Sequence, residues 1–241
     1  MIDFHTHILP GIDDGSRDPE ETGLLLREEA EQGVDMVIST PHFYADHTSP
    51  DHFLEKRERA YRKTEEKRQE IISRGLTVPA VKKAAEVYYF PGMGRADRLR
   101  DLTVEGTDIL MVEMPFCQWD RDIFENIREI TERQRLKVVL VHLERYYRLQ
   151  KKKQTWEEIL GLPVVVQLNT GSFLSWGEKR ICKKILGYGL PVILGSDCHN
   201  MRSRKPNLRQ GRAALAGMMG PDAPDKAERT AAGLLEERKI T

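Results

Sequence analysis

The strongest constraint on this chain is an alternation. Seven apolar runs, most of them rich in β-branched residues, recur along it, and segments with helical signals separate them. The runs begin at Ile2, then span Val34-Asp35-Met36-Val37-Ile38-Ser39, Val78 to Val87, Ile109-Leu110-Met111-Val112, Lys137 to Val141, Val164 to Leu168 and Pro191 to Gly195. Strands alternating with helices make βαβ units and a mainly parallel sheet. The punctuation agrees. Asp18-Pro19-Glu20-Glu21 combines an N-cap, a proline at the first helical position and an acid three residues after the cap, and Gly33 stops that helix. Ser49-Pro50 opens a long charged helix to about Arg74, closed by Gly75. Further helices are predicted near 120–135, 178–188, 207–219 and 225–238. In the last of these Ala227, Ala231, Leu234 and Leu235 keep helical spacing.

An α/β chain of 241 residues without a linker or composition break is expected to be one domain, 1–241. Gly92-Met93-Gly94 lacks the third glycine and helix register of a dinucleotide-binding turn, so a closed or distorted barrel fits better than a doubly wound sheet. Net charge is 0, which provides no general field for nucleic acid. Lys151-Lys152-Lys153 reads as a solvated loop or helix edge. No apolar run approaches the ~18 residues of a membrane span. Asp3 and His5 sit where a signal peptide needs apolar residues. Cys117, Cys182 and Cys198 follow no framework spacing, so reduced thiols and a cytoplasmic location are expected.

The chemistry collects where the strands end. Those positions carry His5 and His7, His42, Glu86, Glu113, His142, Asn169, and Asp197 with His199. In a parallel barrel the strand C-termini converge on one face, which holds active sites. Five of the 7 histidines lie there; His47 and His52 read as loop and helix-surface residues. In an extended strand Asp3, His5 and His7 share one face, and Gly11 and Gly15 allow a turn that swings Asp13 or Asp14 back toward it. Imidazoles and carboxylates without clustered thiolates point to two or three Mn, Fe or Zn ions. Asp3 is expected to orient a histidine.

Arg145, three residues after His142, and Arg204, five after His199, are suited to clamp a phosphoryl group. Phe43-Tyr44 and Ser172-Phe173-Leu174-Ser175-Trp176 follow strands, where they would line a groove for an aromatic substrate or pack as ordinary loops. A rival reading is a thiol phosphatase, because Cys198 and Arg204 keep a Cys-x5-Arg spacing. That loop has no glycine, no histidine precedes the cysteine, and His199 is wanted as a ligand.

Together, Asp3-x-His5-x-His7, Pro10-Gly11-Ile12-Asp13-Asp14-Gly15, Thr40-Pro41-His42, Ala85-Glu86-Val87, Val112-Glu113-Met114-Pro115, His142-x-Glu144-Arg145-Tyr146 and Ser196-Asp197-x-His199-Asn200 resemble the PHP-superfamily bacterial tyrosine phosphatases of the CpsB/YwqE type, linked to capsule and exopolysaccharide synthesis. The resemblance extends to about Met219. It implies a distorted (β/α)7 TIM-like barrel with three metal ions, often manganese. By motif position one ion takes His5, His7, Glu86 and Asp197. A second shares Glu86 and adds Glu113 and His142, and a third takes Asp14, His42 and His199. Arg145 and Arg204 match the phosphate-binding, catalytic arginines. Leu143 stands where the family often has proline, and Cys198 separates Asp197 from His199; neither removes a ligand. The activity implied is hydrolysis of phosphotyrosine by a metal-bound hydroxide, on the C-terminal tail of a bacterial tyrosine autokinase. The alternatives are a phosphatase for histidinol phosphate or another small phosphomonoester, and a non-catalytic phosphopeptide-binding protein.

Overall fold

The computed structural model describes residues 1–236. Its strands are β1 (Ile2–Thr6), β2 (Met36–Ser39), β3 (His42–Phe43), β4 (Ala80–Lys83), β5 (Glu86–Tyr88), β6 (Ile109–Glu113), β7 (Lys137–Leu140), β8 (Val165–Asn169) and β9 (Val192–Gly195). The helices are α1 (Pro19–Glu31), α2 (Pro50–Ser73), α3 (Arg121–Arg128), α4 (Lys153–Gly161), α5 (Trp176–Gly187), α6 (Leu208–Met219) and α7 (Ala223–Glu236).

Nine strand segments stand where seven runs were predicted, because β3 lies beyond the end of the second run and the third run is split in two. Pro41, which has no N–H to give a ladder, separates β2 from β3, and Ala84-Ala85 separates β4 from β5. Across the breaks Ala84 N–H still donates to Ser39 O (2.8 Å) and Glu86 N–H to Pro41 O (3.0 Å). All pairings are parallel, in the orders β1-β2-β4 and β3-β5-β6-β7-β8-β9. The last strand returns to the first through single bonds rather than a ladder: Asp197 N–H to His5 O (2.8 Å), His7 N–H to Cys198 O (2.9 Å) and one bridge between Thr6 and Cys198. This is the distorted seven-stranded barrel arrangement, with its irregular seam between β9 and β1.

Two apolar clusters follow from strand alternation. Val37, Leu110, Val112, Leu140, Val166 and Leu194 pack outward with helix residues such as Leu25, Ile127 and Ile185. Phe4, Ile38, Ile109, Met111, Val139 and Ile193 point inward, where Ala231 and Leu234 of α7 join them. Two helix starts obey the predicted caps: Asp18 Oδ1 accepts from Glu21 N–H (2.9 Å) and Ser49 Oγ from His52 N–H (3.3 Å); Asp120 Oδ1 caps α3 in the same way, from Ile123 N–H (3.1 Å). The helix expected over 120–135 stops being α-helical at Arg128 and continues as one π-type turn, Glu129–Arg133. The lysine run at 151–153 is an exposed helix edge, at the start of α4. The predicted end of the last helix at Arg238 lies outside the described residues.

Candidate metal centre

The N-terminal strand reaches the centre through an irregularity. Asp3 pairs with Val37, and Thr6 pairs with Ser39, so β1 spends one more residue than β2 over that interval. Such a bulge reverses the facing of the residues beyond it. Asp3 therefore faces outward to Glu29 of α1, Phe4 faces the interior, and His5 and His7 face inward too. The expected single face shared by Asp3, His5 and His7 is thus corrected, and so is the expected role of Asp3. Its Oδ1 accepts from two backbone amides, Ser196 N–H (2.9 Å) and His5 N–H (3.2 Å), and so ties β1 to the end of β9 instead of holding a ring. Two glycines make room for the histidines. A Cβ on Gly15 would lie 2.2 Å from His7 O, and one on Gly195 would lie 2.5 Å from His5 Cβ.

All nine predicted donors meet. His5 Nε2 and His7 Nε2 are 3.1 Å apart, each is 3.2 Å from Glu86 Oε2, and Asp197 Oδ1 lies 3.7 and 3.5 Å from them. Ligands of one tetrahedral ion at about 2.0–2.2 Å stand about 3.4 Å from each other, so this spacing is that of a coordination shell. His142 Nε2 is 2.8 Å from Glu86 Oε1 and 3.8 Å from Glu113 Oε1. The register pairs His42 with Glu86, and His42 Nδ1 approaches Glu86 Oε2 (3.0 Å) and Glu113 Oε2 (3.9 Å). Asp14 Oδ1 lies 3.4 Å from His42 Nε2 and 3.3 Å from His199 Nε2. His42 Nδ1, Glu113 Oε2 and His199 Nε2 are buried and make no hydrogen bond. Three orphaned donor atoms in one cluster are costly unless a cation satisfies them.

The surroundings aim the rings. His7 Nδ1 pairs with Asp13 Oδ2 (2.8 Å), His5 Nδ1 with Gln167 Oε1 (3.1 Å), His142 Nδ1 with the Tyr146 hydroxyl (3.1 Å) and His199 Nδ1 with the Asp197 carbonyl (3.0 Å). Each leaves Nε2 turned into the cluster, as metal-binding histidines require. Asp13 and Asp14 thus do different things: the first braces His7, and the second faces His42 and His199. Gln167, Asp13 and Tyr146 were not singled out as partners in the sequence. A glutamine inside the apolar run Val164 to Leu168 was the available signal for one of them. Asn169 joins no donor group; its Nδ2 donates to Asp197 Oδ2 (2.9 Å). His142 (φ 34°) and Asp197 (φ 55°) both adopt the left-handed region, a strain that marks functional sites.

Charge is balanced inside the cluster. Burial works against the His7 charge, yet Asp13 and Glu86 lift its pKa to about 10. Burial lowers His142 to about 4, and burial with the His7 charge lowers His199 to about 3. Burial and the neighbouring Glu86 raise Glu113 to about 7. Glu86 resists burial because His5, His142 and His42 hold it well below the usual carboxylate range.

Both predicted arginines arrive at one atom. Arg145 and Arg204 pair with Asp197 Oδ2, the latter at 2.7 Å, and Arg204 also approaches Asp14 Oδ2 (3.8 Å). They border a cleft of about 220 Å³ with Asn169, Ser172, Ser203 and Asn207. Cys198 is elsewhere. It is fully buried, its Sγ faces Glu29 Oε1 (3.6 Å), and burial beside that acid pushes its thiol well up. That placement removes it as an attacking group. Phe43 and Phe173 are core residues, whereas Tyr44 stands beside His42 with ring centroids 5.4 Å apart. His47 and His52 are exposed, on a loop and on α2.

A sequence model of the family described as "Capsular polysaccharide synthesis, CpsB/CapC" matches residues 1–233. The chain belongs to the CpsB/CapC family. Among its relatives in that family, the tyrosine-protein phosphatase CpsB of Streptococcus agalactiae is 27% identical over 232 residues, covering 92% of each chain. The tyrosine-protein phosphatase YwqE of Bacillus subtilis is 22% identical over 252 residues, covering 100% of this chain and 93% of that one. A solved chain from the crystal structures of YwqE from Bacillus subtilis and CpsB from Streptococcus pneumoniae, described as metal-dependent tyrosine phosphatases, superposes with a TM-score of 0.81 at 20% identity, covering 100% of this chain and 96% of that one. The fold of that solved chain is therefore shared by the described residues. Among the described residues no helix is long and apolar enough to cross a membrane.

Proposed function

We propose that this CpsB/CapC chain is a single-domain, metal-dependent protein-tyrosine phosphatase acting in the cytoplasm. The observation that carries this reading is the meeting of nine imidazole and carboxylate side chains with two guanidinium groups at their edge. One ion is assigned to His5, His7, Glu86 and Asp197. A second is assigned to Glu86, Glu113 and His142, and a third to Asp14, His42 and His199. The orphaned atoms of His42, Glu113 and His199 support bound ions in this cluster. The tightest donor groups are His5 with His7 and Glu86, His7 with Asp14, His42 and His199, and His42 with Glu86 and Glu113; they support the first and third ions in part and group His42, rather than His142, with Glu113. Manganese is the expected metal, and iron or zinc suits the same donors.

When bound, such ions supply a water nucleophile at neutral pH and positive charge against the phosphoryl oxygens. The chain's own residues do the rest. Asp13, Gln167 and Tyr146 fix the rings of His7, His5 and His142 with Nε2 inward. Arg145 and Arg204 hold the phosphoryl group, each offering planar paired N–H donors. Tyrosinate, whose conjugate acid has a pKa of about 10, departs with little acid assistance. The substrate is a phosphotyrosine protein, by family the tail of a bacterial tyrosine kinase that controls capsule or exopolysaccharide synthesis. Tyrosine-phosphatase relatives across the full chain favour this over histidinol phosphate or another small phosphomonoester, and the complete donor set favours it over passive phosphopeptide binding. Turnover of a phosphotyrosine peptide and of histidinol phosphate on one manganese-loaded preparation decides between them. Faster turnover of histidinol phosphate, or peptide binding without phosphate release, overturns the reading.

A further inference from the structure

The phosphatase reading uses the residues that face the metal donors and Asp197. It leaves unexplained three aromatic rings at or just beyond the C-terminal ends of β3, β5 and β6. Tyr44 follows His42 by two residues, Tyr88 follows Glu86 by two, and Phe116 follows Glu113 by three. In a strand, i and i+2 share a face, and the second lies about 6.6 Å further along. That step is about the reach of a phenoxy group beyond its phosphorus. Tyr44 joins a donor ring to Tyr88, and Phe116 reaches the donors through Tyr146. Tyr44 lies 5.4 Å from His42 and 5.5 Å from Tyr88, between ring centroids. Tyr88 is the register partner of Glu113, and Phe116 packs 4.9 Å from Tyr146, whose hydroxyl bonds His142.

Phe116 is the telling member. It is 53% exposed, yet its loop is pinned. Trp119 Nε1–H donates to Pro115 O (3.0 Å), Cys117 N–H donates to the same oxygen (2.8 Å), and Gln150 Nε2 donates to Cys117 O (2.8 Å). A single exposed phenylalanine is ordinary on a surface. This one is held by its loop against Tyr146, three residues beyond the donor Glu113, as Tyr44 and Tyr88 stand two residues beyond His42 and Glu86.

We propose that Tyr44, Tyr88 and Phe116 form the subsite for the aromatic leaving group, and that they set a preference for aryl over alkyl phosphomonoesters. The inference rests on the phosphatase reading but is tested apart from it, by binding. Dissociation constants of phenylphosphonate and methylphosphonate are measured by calorimetry on the manganese-loaded chain. The wild-type chain is expected to favour the phenyl compound by about tenfold, the scale of aromatic contacts. Phe116→Ala and Tyr44→Leu should each shrink that preference while leaving methylphosphonate affinity unchanged, and Phe116→Tyr should retain it. An unaltered phenyl-to-methyl ratio in both variants overturns the subsite, as does a parallel loss for both ligands. Phosphate release from phenyl phosphate is followed on the same wild-type sample. No release alongside an intact phenyl preference contradicts the phosphatase reading and leaves the ring subsite standing.

Discussion

At the scale of single residues, identity matters less than the direction in which a side chain is held. The donor types at His5, His7, His42, Glu86, Glu113, His142, Asp197 and His199 were legible because each sits at a strand end. Residue patterning left Asp13 and Asp14 open, since both lie in one glycine-flanked loop; the family resemblance chose Asp14, and the fold agrees, with Asp14 facing His42 and His199, and adds what the resemblance did not give, that Asp13 braces His7. Asp13→Asn is expected to weaken metal affinity by about 10- to 100-fold, the usual effect of removing a group that orients a ligand. Equilibrium metal titration checks this, and an unchanged affinity would remove Asp13 from that role. Cys198→Ala should leave phosphotyrosine turnover intact while His199→Ala abolishes it; the opposite pattern in a phosphate-release assay would restore the thiol reading. Glu29 gives a pH prediction away from the donors. Burial, then the nearby Asp3, raises its pKa well above the usual carboxylate value. A raised acid stabilises the fold below its unfolded pKa and loses that contribution as pH rises. Below the folded pKa and above about 4.5, the loss is about 1.4 kcal/mol per pH unit. Glu29→Gln should therefore gain on the wild type as pH rises, seen as diverging urea midpoints; parallel midpoints would refute a buried neutral Glu29.

At the scale of elements, helix boundaries were readable because caps are local chemistry. Asp18 and Ser49 each accept the amide three residues on, as their sequence contexts predict, and Asp120 does the same. The irregularities were not readable, because tertiary pairing creates them. The bulge in β1 depends on register against β2, so the period-two reading of Asp3, His5 and His7 could not anticipate it. The break at Ala84-Ala85 likewise was not readable; the break at Thr40-Pro41 is the exception, because Pro41 has no N–H for a ladder. These features separate two classes of substitution. Asp18→Ala removes a cap and should cost about 1 kcal/mol without changing turnover. Gly195→Ala drives a Cβ to 2.5 Å from His5 Cβ and 2.9 Å from Gln167 Nε2, so it should cost stability and displace His5 as well. Overpacking of this kind costs about 1–3 kcal/mol. Thermal unfolding and metal titration of the two variants should show Asp18→Ala changing only the first and Gly195→Ala changing both; normal metal affinity in Gly195→Ala would mean that β1 and β9 tolerate separation.

At the scale of the whole molecule, the barrel gathers residues spread from His5 to Arg204 onto one face, and the seam between β9 and β1 lies within that face. The alternation of strands and helices made the parallel architecture legible. The seam was not legible, because it consists of a few bonds among Asp3, His5, His7, Asp197 and Cys198 rather than a ladder. The same residues join the barrel and hold the donors, so donor geometry and fold are one construction. The central claim is that this donor set holds divalent metal required for phosphotyrosine hydrolysis. Its most direct test is phosphate release from a phosphotyrosine peptide by one preparation, with metal content measured before chelation, after it, and after Mn²⁺ is restored. The account predicts that activity falls with the metal and returns with manganese. Unchanged hydrolysis after complete metal removal would contradict it.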